Sequence, residues 1–383
     1  MLYPGLNAYR AFAFLAVFLC HEFKLHAGYL GVQAFFVLSG FLITPILVDM
    51  NRKLAGKTYF SHFYGRRALR IFPLYYFYLA LVGVIGFVLL QFNGIPGMGH
   101  YDEFVRQLPW SALFLTNFSS AIGPFENTRL ISHFWSLAVE EQFYLFWPIV
   151  IFLVPFKKLR PALLFFILTG PPIRWLIGSD FVSHSLPFLN QDIAMRVYVL
   201  PFSHVDAFAI GGYFALYGKS FRSGSVWALL GFTYVIGVAT AWMATGHFVP
   251  SDLGYGPFMV DAGKHIWGYS LLNFTFAYVL IHVRDRKFLP WLFEFSPLNY
   301  LGKISYGLYV YHFAVIHVVN IAFADQHDLI RYALALFGTF VISAASYELM
   351  EKWFLKFKDV YFKRNDPVDE SPPLEAMKPL EQT

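Results

Sequence analysis

Long apolar runs recur along almost the whole chain, and they limit its fold more than any other feature. A helix that crosses a membrane needs about 20 mostly apolar residues. Runs of this kind occur in about ten places, and we predict that each forms a span. They lie near residues 6–23, 29–48, 72–92, 133–155, 161–178, 199–217, 225–245, 264–283, 299–323 and 330–355. A shorter apolar stretch, residues 109–118, is predicted to be re-entrant or interfacial.

Composition places the chain among membrane proteins. Hydrophobic residues make up 57% of the 383 residues and charged residues only 14%, whereas about a quarter of a soluble domain is charged. The net charge of +5 does not indicate nucleic-acid binding, because the basic residues lie in short segments between the predicted spans. Cys20 is the single cysteine, so neither an intrachain disulfide nor a zinc framework is predicted, and no metal is expected.

The basic residues also predict how the chain is oriented. They are concentrated after every second span, and the positive-inside rule places such segments in the cytoplasm. Both termini are then cytoplasmic. The sequence therefore predicts an all-α integral membrane protein in which about ten transmembrane helices form one bundle. This domain covers residues 1–362, and residues 363–383, which are rich in Pro and Glu, are predicted to be a disordered cytoplasmic tail.

The first span carries two ionisable residues, Arg10 and His21, and such residues are costly inside a membrane. They are eleven residues apart, so both lie on one helix face, about 16 Å apart along the axis. Arg10 is predicted in the inner half and His21 near the outer end. Arg10 could instead reach the inner headgroups, and His21 could be an interfacial cap. Because a neutral imidazole is the commonest general base, His21 is also a catalytic candidate.

The fourth span opens with His133 and contains two adjacent carboxylates, Glu140 and Glu141. His133 and Glu140 are seven residues apart and share a helix face, whereas Glu141 points elsewhere. One carboxylate could form a salt bridge with a neighbouring helix while the other orients a catalytic group. Both could equally be structural partners of Arg or His side chains.

Three arginines, Arg66, Arg67 and Arg70, lie in a predicted inner loop before the third span. Guanidinium groups bind phosphates through paired hydrogen bonds, so these residues could hold the phosphates of coenzyme A at the membrane entrance. The alternative is that they only set the topology and contact lipid headgroups.

Other polar residues in the spans are supporting candidates. Asp206, in the sixth span, is predicted at a depth comparable to that of His21 and Glu140, although it could be a satisfied structural carboxylate. His312, in the ninth span, lies among tyrosines, which favours a packing or hydrogen-bonded role.

Small residues mark the second span, where Ser39 lies between Gly31 and the adjacent Gly40. Such residues permit close helix contact. The same residues could alternatively open a channel for a thin acyl-pantetheine chain.

Several of these segments together resemble acyltransferase family 3. Residues 10–21 are similar to the family's arginine, ten residues, histidine arrangement, and residues 135–147 resemble its Trp-Ser-Leu-x-Val-Glu-Glu-Gln-Phe-Tyr-Leu-x-Trp signature. Three further segments, residues 35–44, 66–73 and 304–312, resemble other family motifs in the same order. Gln33 departs from the pattern, because many members carry Asp there.

The resemblance implies ten spans, an acyl-coenzyme A donor, usually acetyl-coenzyme A, and a hydroxyl acceptor. It also points to Arg10 and His21 as essential, with the arginine segment and the glutamate pair in support. We expect the donor to dock on Arg66, Arg67 and Arg10. His21 is expected to take the proton of the acceptor hydroxyl, directly or through a covalent acyl step, and Glu140 to orient His21 or stabilise its cation.

The expected protein is a membrane-bound O-acyltransferase of a bacterial inner membrane, in contact with membrane lipids. Its expected acceptor is a surface polysaccharide, a lipopolysaccharide or a lipid-linked glycan. A macrolide or another small metabolite is an alternative acceptor. A glycan transporter is an alternative function, although the sequence shows no internal repeat of the kind found in many transporters.

Overall fold

The computed structural model describes residues 5–23, 25–89, 99–123, 128, 130–186, 188–189, 192–257, 259 and 261–362. Over these ranges the chain is helical and contains no β-strand. The predicted tail, residues 363–383, lies outside the described residues, and so does the end of the predicted third span, residues 90–92.

Seventeen α-helices follow one another along the described parts of the chain. The first ten are α1 Gly5–Glu22, α2 Leu30–Lys53, α3 Gly56–Leu89, α4 Gly99–Ala112, α5 Thr116–Ile122, α6 Phe134–Leu153, α7 Phe156–Ile177, α8 Asp180–Ser185, α9 Ile193–Val199 and α10 Val205–Tyr217. The next seven are α11 Gly224–Thr245, α12 Lys264–Arg284, α13 Pro290–Phe293, α14 Ser296–Lys303, α15 Ser305–Ala322, α16 Asp328–Ser346 and α17 Lys352–Tyr361. A π-helical turn, Tyr347–Glu351, joins α16 to α17.

Six helical segments are long and apolar enough to cross a membrane: His26–Lys53, Gly56–Val88, Phe134–Leu153, Gly224–Thr245, Asp261–Arg284 and Asp328–Lys358. Two bent pairs each pass the same test together, Ile193–Val199 with Pro201–Tyr217 at 68° and Ser296–Lys303 with Ser305–Ala322 at 72°. The described residues therefore contain six to eight candidate spans. The predicted first and fifth spans form α1 and α7, which are not among these candidates, so the count of ten stays a prediction.

Burial separates the helices of the centre from those of the periphery. In α2 and the turn before it, 78% of the most apolar stretch is buried, whereas the figure is 17% for α11 and for α16 with the turns that follow it. Helices that are apolar all round suit a lipid surface when they lie at the edge of a bundle. Polar side chains with a function are therefore expected in the helices around α2.

Glycines bring the central helices into direct backbone contact. A Cβ atom at Gly40 would collide with the carbonyl oxygen of Phe208 in α10, and one at Gly31 would collide with the carbonyl oxygen of Ala13 in α1. These contacts confirm the packing interpretation for Gly31 and Gly40.

The predicted inner loop around Arg66, Arg67 and Arg70 is wrong as a description of the backbone. These residues lie inside α3, which runs without interruption from Gly56 through Pro73. A charged segment ends the apolar signal of a span, but Arg, Ala and Leu are good helix formers, so the helix continues through the charged residues. The arginines are thus fixed on a rigid element.

Candidate active site

Charged side chains from three helices meet beside the N-terminal half of α1. The charge of Arg10 interacts with those of Arg67 and Arg70 from α3 and with that of Glu140 from α6. Glu141 interacts with Arg67 and with Glu140. We call these five residues the arginine–glutamate cluster. The structure thereby brings together five predicted site residues that are far apart in the sequence.

The arginines of this cluster are not tied up in ion pairs. None of them lies within 4.0 Å of a carboxylate oxygen among the described residues. Arg10 donates one hydrogen bond, to Asn7 Oδ1 at 3.0 Å, and the guanidinium of Arg67 lies 5.0 Å from the ring centroid of Tyr144. Guanidinium groups held close to one another without a direct counter-ion are suited to bind an anion.

Arg66 is directed to a different part of the molecule. Its Nη1 donates to the carbonyl oxygen of Phe362, just beyond α17, at 2.6 Å, and the neighbouring Gly65 packs against the Phe362 ring. Of the three arginines predicted to bind the donor, the structure therefore places Arg67 and Arg70 with Arg10, and Arg66 with the end of α17.

Glu140 is held by hydroxyl groups. Ser39 Oγ donates to Glu140 Oε1 at 2.5 Å, and the hydroxyl of Tyr144 donates to the same oxygen. The prediction that Glu140 orients His21 finds no contact in the structure, because α6 runs antiparallel to α1. The first residues of α6 lie beside the C-terminal end of α1, and Glu140, two turns later in α6, lies beside Arg10.

Three histidines meet near the C-terminal end of α1. The ring centroid of His312, from α15, lies 5.7 Å from that of His21 and 4.8 Å from that of His133. Phe313 contacts all three rings at 4.5–4.7 Å. We call His21, His133 and His312 the histidine cluster. No group of three or more His, Cys, Asp or Glu side chains in the described part of the chain has the geometry to hold a metal ion.

The two buried histidines each leave one ring nitrogen without a partner. His133 Nε2 donates to the carbonyl of Val310 at 3.2 Å, and His312 Nδ1 donates to the carbonyl of Tyr309 at 2.6 Å. Carbonyl oxygens only accept, so in the neutral rings the opposite nitrogens, His133 Nδ1 and His312 Nε2, carry lone pairs. Both lone pairs are buried and unpaired.

His21 is the solvent-accessible member of the histidine cluster. It is exposed, whereas His133 and His312 are 4% and 0% exposed. Two buried imidazole lone pairs under an exposed imidazole can accept protons or hydrogen bonds from hydroxyl groups, which is the chemistry of general base catalysis.

Asp206 belongs to neither cluster. Both of its oxygens accept from Arg174 of α7 at 2.9 Å, and both residues are 0% exposed. Ser270 and Asn273 of α12 also donate to Asp206. This geometry favours the structural alternative for Asp206. Its partner Arg174 was missed in the sequence, although it is an ionisable residue inside the predicted fifth span and the same rule would have selected it.

Comparison with known protein families covers the residues of both clusters. The model of a family described as an acyltransferase domain, acyltransferase family 3, matches residues 3–348, which contain every residue of both clusters. The chain belongs to this family.

Two relatives of this acyltransferase domain are O-acetyltransferases of Staphylococcus aureus. The O-acetyltransferase OatA of Staphylococcus aureus strain NCTC 8325 is 25% identical over 385 residues, an alignment that covers 91% of this chain and 56% of the relative. OatA of Staphylococcus aureus strain COL matches with the same values. The acyltransferase domain described here thus spans just over half the length of these relatives. No solved structure matches.

Proposed function

We propose that this acyltransferase domain is a membrane-bound O-acyltransferase that moves an acetyl group from acetyl-coenzyme A to a hydroxyl of a surface polysaccharide, a lipopolysaccharide or a lipid-linked glycan. The observation that carries the proposal is the histidine cluster, in which exposed His21 lies over two buried, unpaired imidazole nitrogens. The similarity to OatA, which is named as an O-acetyltransferase, supports the same reaction.

The donor is proposed to bind at the arginine–glutamate cluster. Coenzyme A carries several phosphate groups, and Arg10, Arg67 and Arg70 are guanidinium groups without a direct ion pair. Both clusters adjoin α6, one beside Glu140 and the other beside His133. An extended donor with its phosphates on the arginines would then direct its thioester along α6 towards His21.

The transfer itself needs one proton acceptor. The oxygen of the acceptor hydroxyl attacks the thioester carbonyl carbon, so that a C–O ester bond forms and the C–S bond breaks. His21 takes the proton from the hydroxyl and returns it to the departing sulfur. His133 and His312 lie beside the reacting hydroxyl and accept hydrogen bonds from it or from a neighbouring hydroxyl.

The proposed topology places donor and acceptor on opposite sides of a bacterial inner membrane. Ten spans, with both termini in the cytoplasm, would place Arg10 on the inner side and His21 on the outer side. The support for this is the alternation of basic segments and the positive-inside rule. Coenzyme A is then taken from the cytoplasm, while the glycan is modified near the outer face.

The experiment compares base-released acetate on surface glycans from cells that express wild-type protein or His21→Ala at equal membrane abundance. Loss of a general base lowers turnover about 10²–10⁴-fold, so acetate is expected with wild type and not with His21→Ala. His247→Ala, which removes an exposed histidine outside both clusters, is the matched control and should behave as wild type.

Each other outcome has a definite meaning. Equal acetate from wild type and His21→Ala would remove His21 from the mechanism. Release of coenzyme A with a small soluble ester product would show a small-metabolite acceptor. Glycan flux without release of coenzyme A would replace the enzyme by a transporter.

A further inference from the structure

A second group of unpaired polar atoms lies around His204, whose ring is 6.1 Å from that of Trp135 in α6. His204 Nε2 donates to the carbonyl of Tyr198 at 2.8 Å. His204 Nδ1 therefore accepts, and Gln33 Nε2 donates to it at 2.8 Å. This fixes the orientation of the Gln33 amide and leaves its Oε1 buried without a partner.

Three more buried atoms near His204 lack partners. They are Ser203 Oγ, Tyr269 OH and Asn273 Oδ1, and each of these residues, like Gln33, is 0% exposed. An unpaired buried polar atom is costly and uncommon. Four of them on the neighbouring elements α2, α12 and the turn before α10 require an explanation.

Their contacts show that the four atoms belong to one region. The Tyr269 ring lies 6.0 Å from the ring of His204. Asn273, one turn later on α12, donates to Asp206 at 3.4 Å. Ser203 precedes His204 in the chain, and its carbonyl accepts from Arg174 at 2.7 Å.

The charges of this region are already satisfied. Each nitrogen of the Arg174 guanidinium donates within the protein: Nε to the Ile266 carbonyl, Nη1 to Ser203 and Asp206, and Nη2 to Asp206, Ile266 and Ser270. The unpaired atoms are therefore amide oxygens and hydroxyls beside a neutralised ion pair. Such a set suits uncharged hydroxyl groups and offers no free cation to a phosphate or carboxylate.

Aromatic rings border the same atoms and connect them to the histidine cluster. Trp135 lies 4.3 Å from the Tyr198 ring and 6.1 Å from the His204 ring. Ser136, which follows Trp135 in α6, forms a hydrogen bond with the Tyr309 hydroxyl at 2.6 Å, and the Tyr309 carbonyl accepts from His312. Aromatic faces combined with a few placed amides and hydroxyls form sites that bind ligands with both apolar and polar groups, and sugar rings have both.

We propose that Gln33, Ser203, Tyr269 and Asn273 form a subsite for the uncharged, hydroxyl-bearing part of a sugar acceptor. The subsite rests on the proposed function, since it holds the glycan whose hydroxyl reacts at His21. The four atoms have no contact with solvent in this structure, so binding requires a neighbouring segment to move. Residues 250–256 border this region, where Tyr29, whose ring lies 5.6 Å from that of Tyr198, donates to the Gly256 carbonyl at 3.1 Å.

The test uses substitutions that remove hydroxyls and no internal hydrogen bond. Tyr269→Phe and Ser203→Ala delete atoms that have no partner within the protein, so a purely structural role predicts little change. Membranes that contain the variants receive radiolabelled acetyl-coenzyme A. Base-labile label on glycan and label released as free acetate, in which water replaces the acceptor, are counted separately.

The double variant Tyr269→Phe/Ser203→Ala is expected to lower label on glycan about tenfold, as the loss of two hydrogen bonds implies, with label shifted towards free acetate. Tyr59→Phe, whose hydroxyl donates to the Pro148 carbonyl at 3.0 Å in another part of the fold, is the control. Wild-type transfer by the double variant, or a parallel loss of both products, would overturn the subsite. If wild-type protein itself puts no label on glycan, the proposed function fails and the subsite fails with it.

Discussion

Two arginines of the bundle, the buried Arg174 and the half-buried Arg10, show opposite ways of placing a charge among apolar helices. Arg174 donates six hydrogen bonds, two of them to Asp206, and pins α7 to α12. Arg10 donates one hydrogen bond, to Asn7, and its other charged neighbours are two arginines and Glu140. Glu140 already accepts hydrogen bonds from Ser39 and Tyr144. The first charge is satisfied by the protein itself, whereas the second is left available to a ligand. A buried charge therefore indicates function only when its partners are counted.

The largest expected effect breaks the satisfied pair. Asp206→Ala leaves Arg174 buried and uncompensated, which should lower the free energy of unfolding by about 3–5 kcal/mol. Thermal unfolding in lipid nanodiscs measures this. The double variant Arg174→Met/Asp206→Leu removes both charges and should recover most of the stability. If Asp206→Ala unfolds like wild type, the pair is not the structural element described here.

The next effect concerns the arginines of the arginine–glutamate cluster, which have no direct ion pair. Arg67→Gln should raise the KM for acetyl-coenzyme A about 10–100-fold, since a hydrogen bond to a charged group contributes about 1.5–3 kcal/mol, with a smaller change in kcat. Arg66→Gln is the matched control, because Arg66 contacts the Phe362 carbonyl on a different face of the same helix. Steady-state kinetics at saturating acceptor separate KM from kcat. Equal KM changes in both variants would show a general charge effect in place of a donor site.

The smallest effect tests whether Glu140 needs both of its hydroxyl donors. Ser39→Ala removes one of them and leaves the Tyr144 hydroxyl in place. The loss should destabilise the fold by about 1 kcal/mol and lower turnover only a few-fold. Ser225→Ala, which removes a hydroxyl far from both clusters, is the comparison in the same unfolding and turnover assays. A complete loss of turnover in Ser39→Ala at normal stability would show that Ser39 itself takes part in the reaction.

The sequence singled out individual ionisable side chains, but it did not indicate where they meet. His21, His133 and His312 each stood out as an ionisable residue in an apolar run, and the structure joins them. Their meeting depends on how α1, α6 and α15 pack, which no local pattern encodes. The same limit explains Glu140, whose helix face was predicted correctly but whose neighbour proved to be Arg10 and not His21.

Helical phase explains another difference. Arg66 and Arg67 are adjacent arginines. The predicted loop therefore gave no reason to expect that their side chains contact different parts of the molecule. In α3 adjacent residues point about 100° apart, and one faces α17 while the other faces Tyr144. The number of candidate spans falls below the predicted ten for a related reason. Arg10 in α1 and Arg174 in α7 are charged, and such charges weaken the apolar signal by which a span is detected.

The π-helical turn at Tyr347–Glu351 has a consequence for how this fold tolerates changes of length. A π turn holds one residue more than the α-helix around it, and it is the mark that a single-residue insertion leaves when the helix absorbs it. Deleting one residue here would restore a regular helix and rotate everything after it by about 100°. Glu351, now buried at 8% exposure and within electrostatic range of Arg70, would turn away from α3. A single-residue deletion at this point therefore changes whether a carboxylate lies near Arg70.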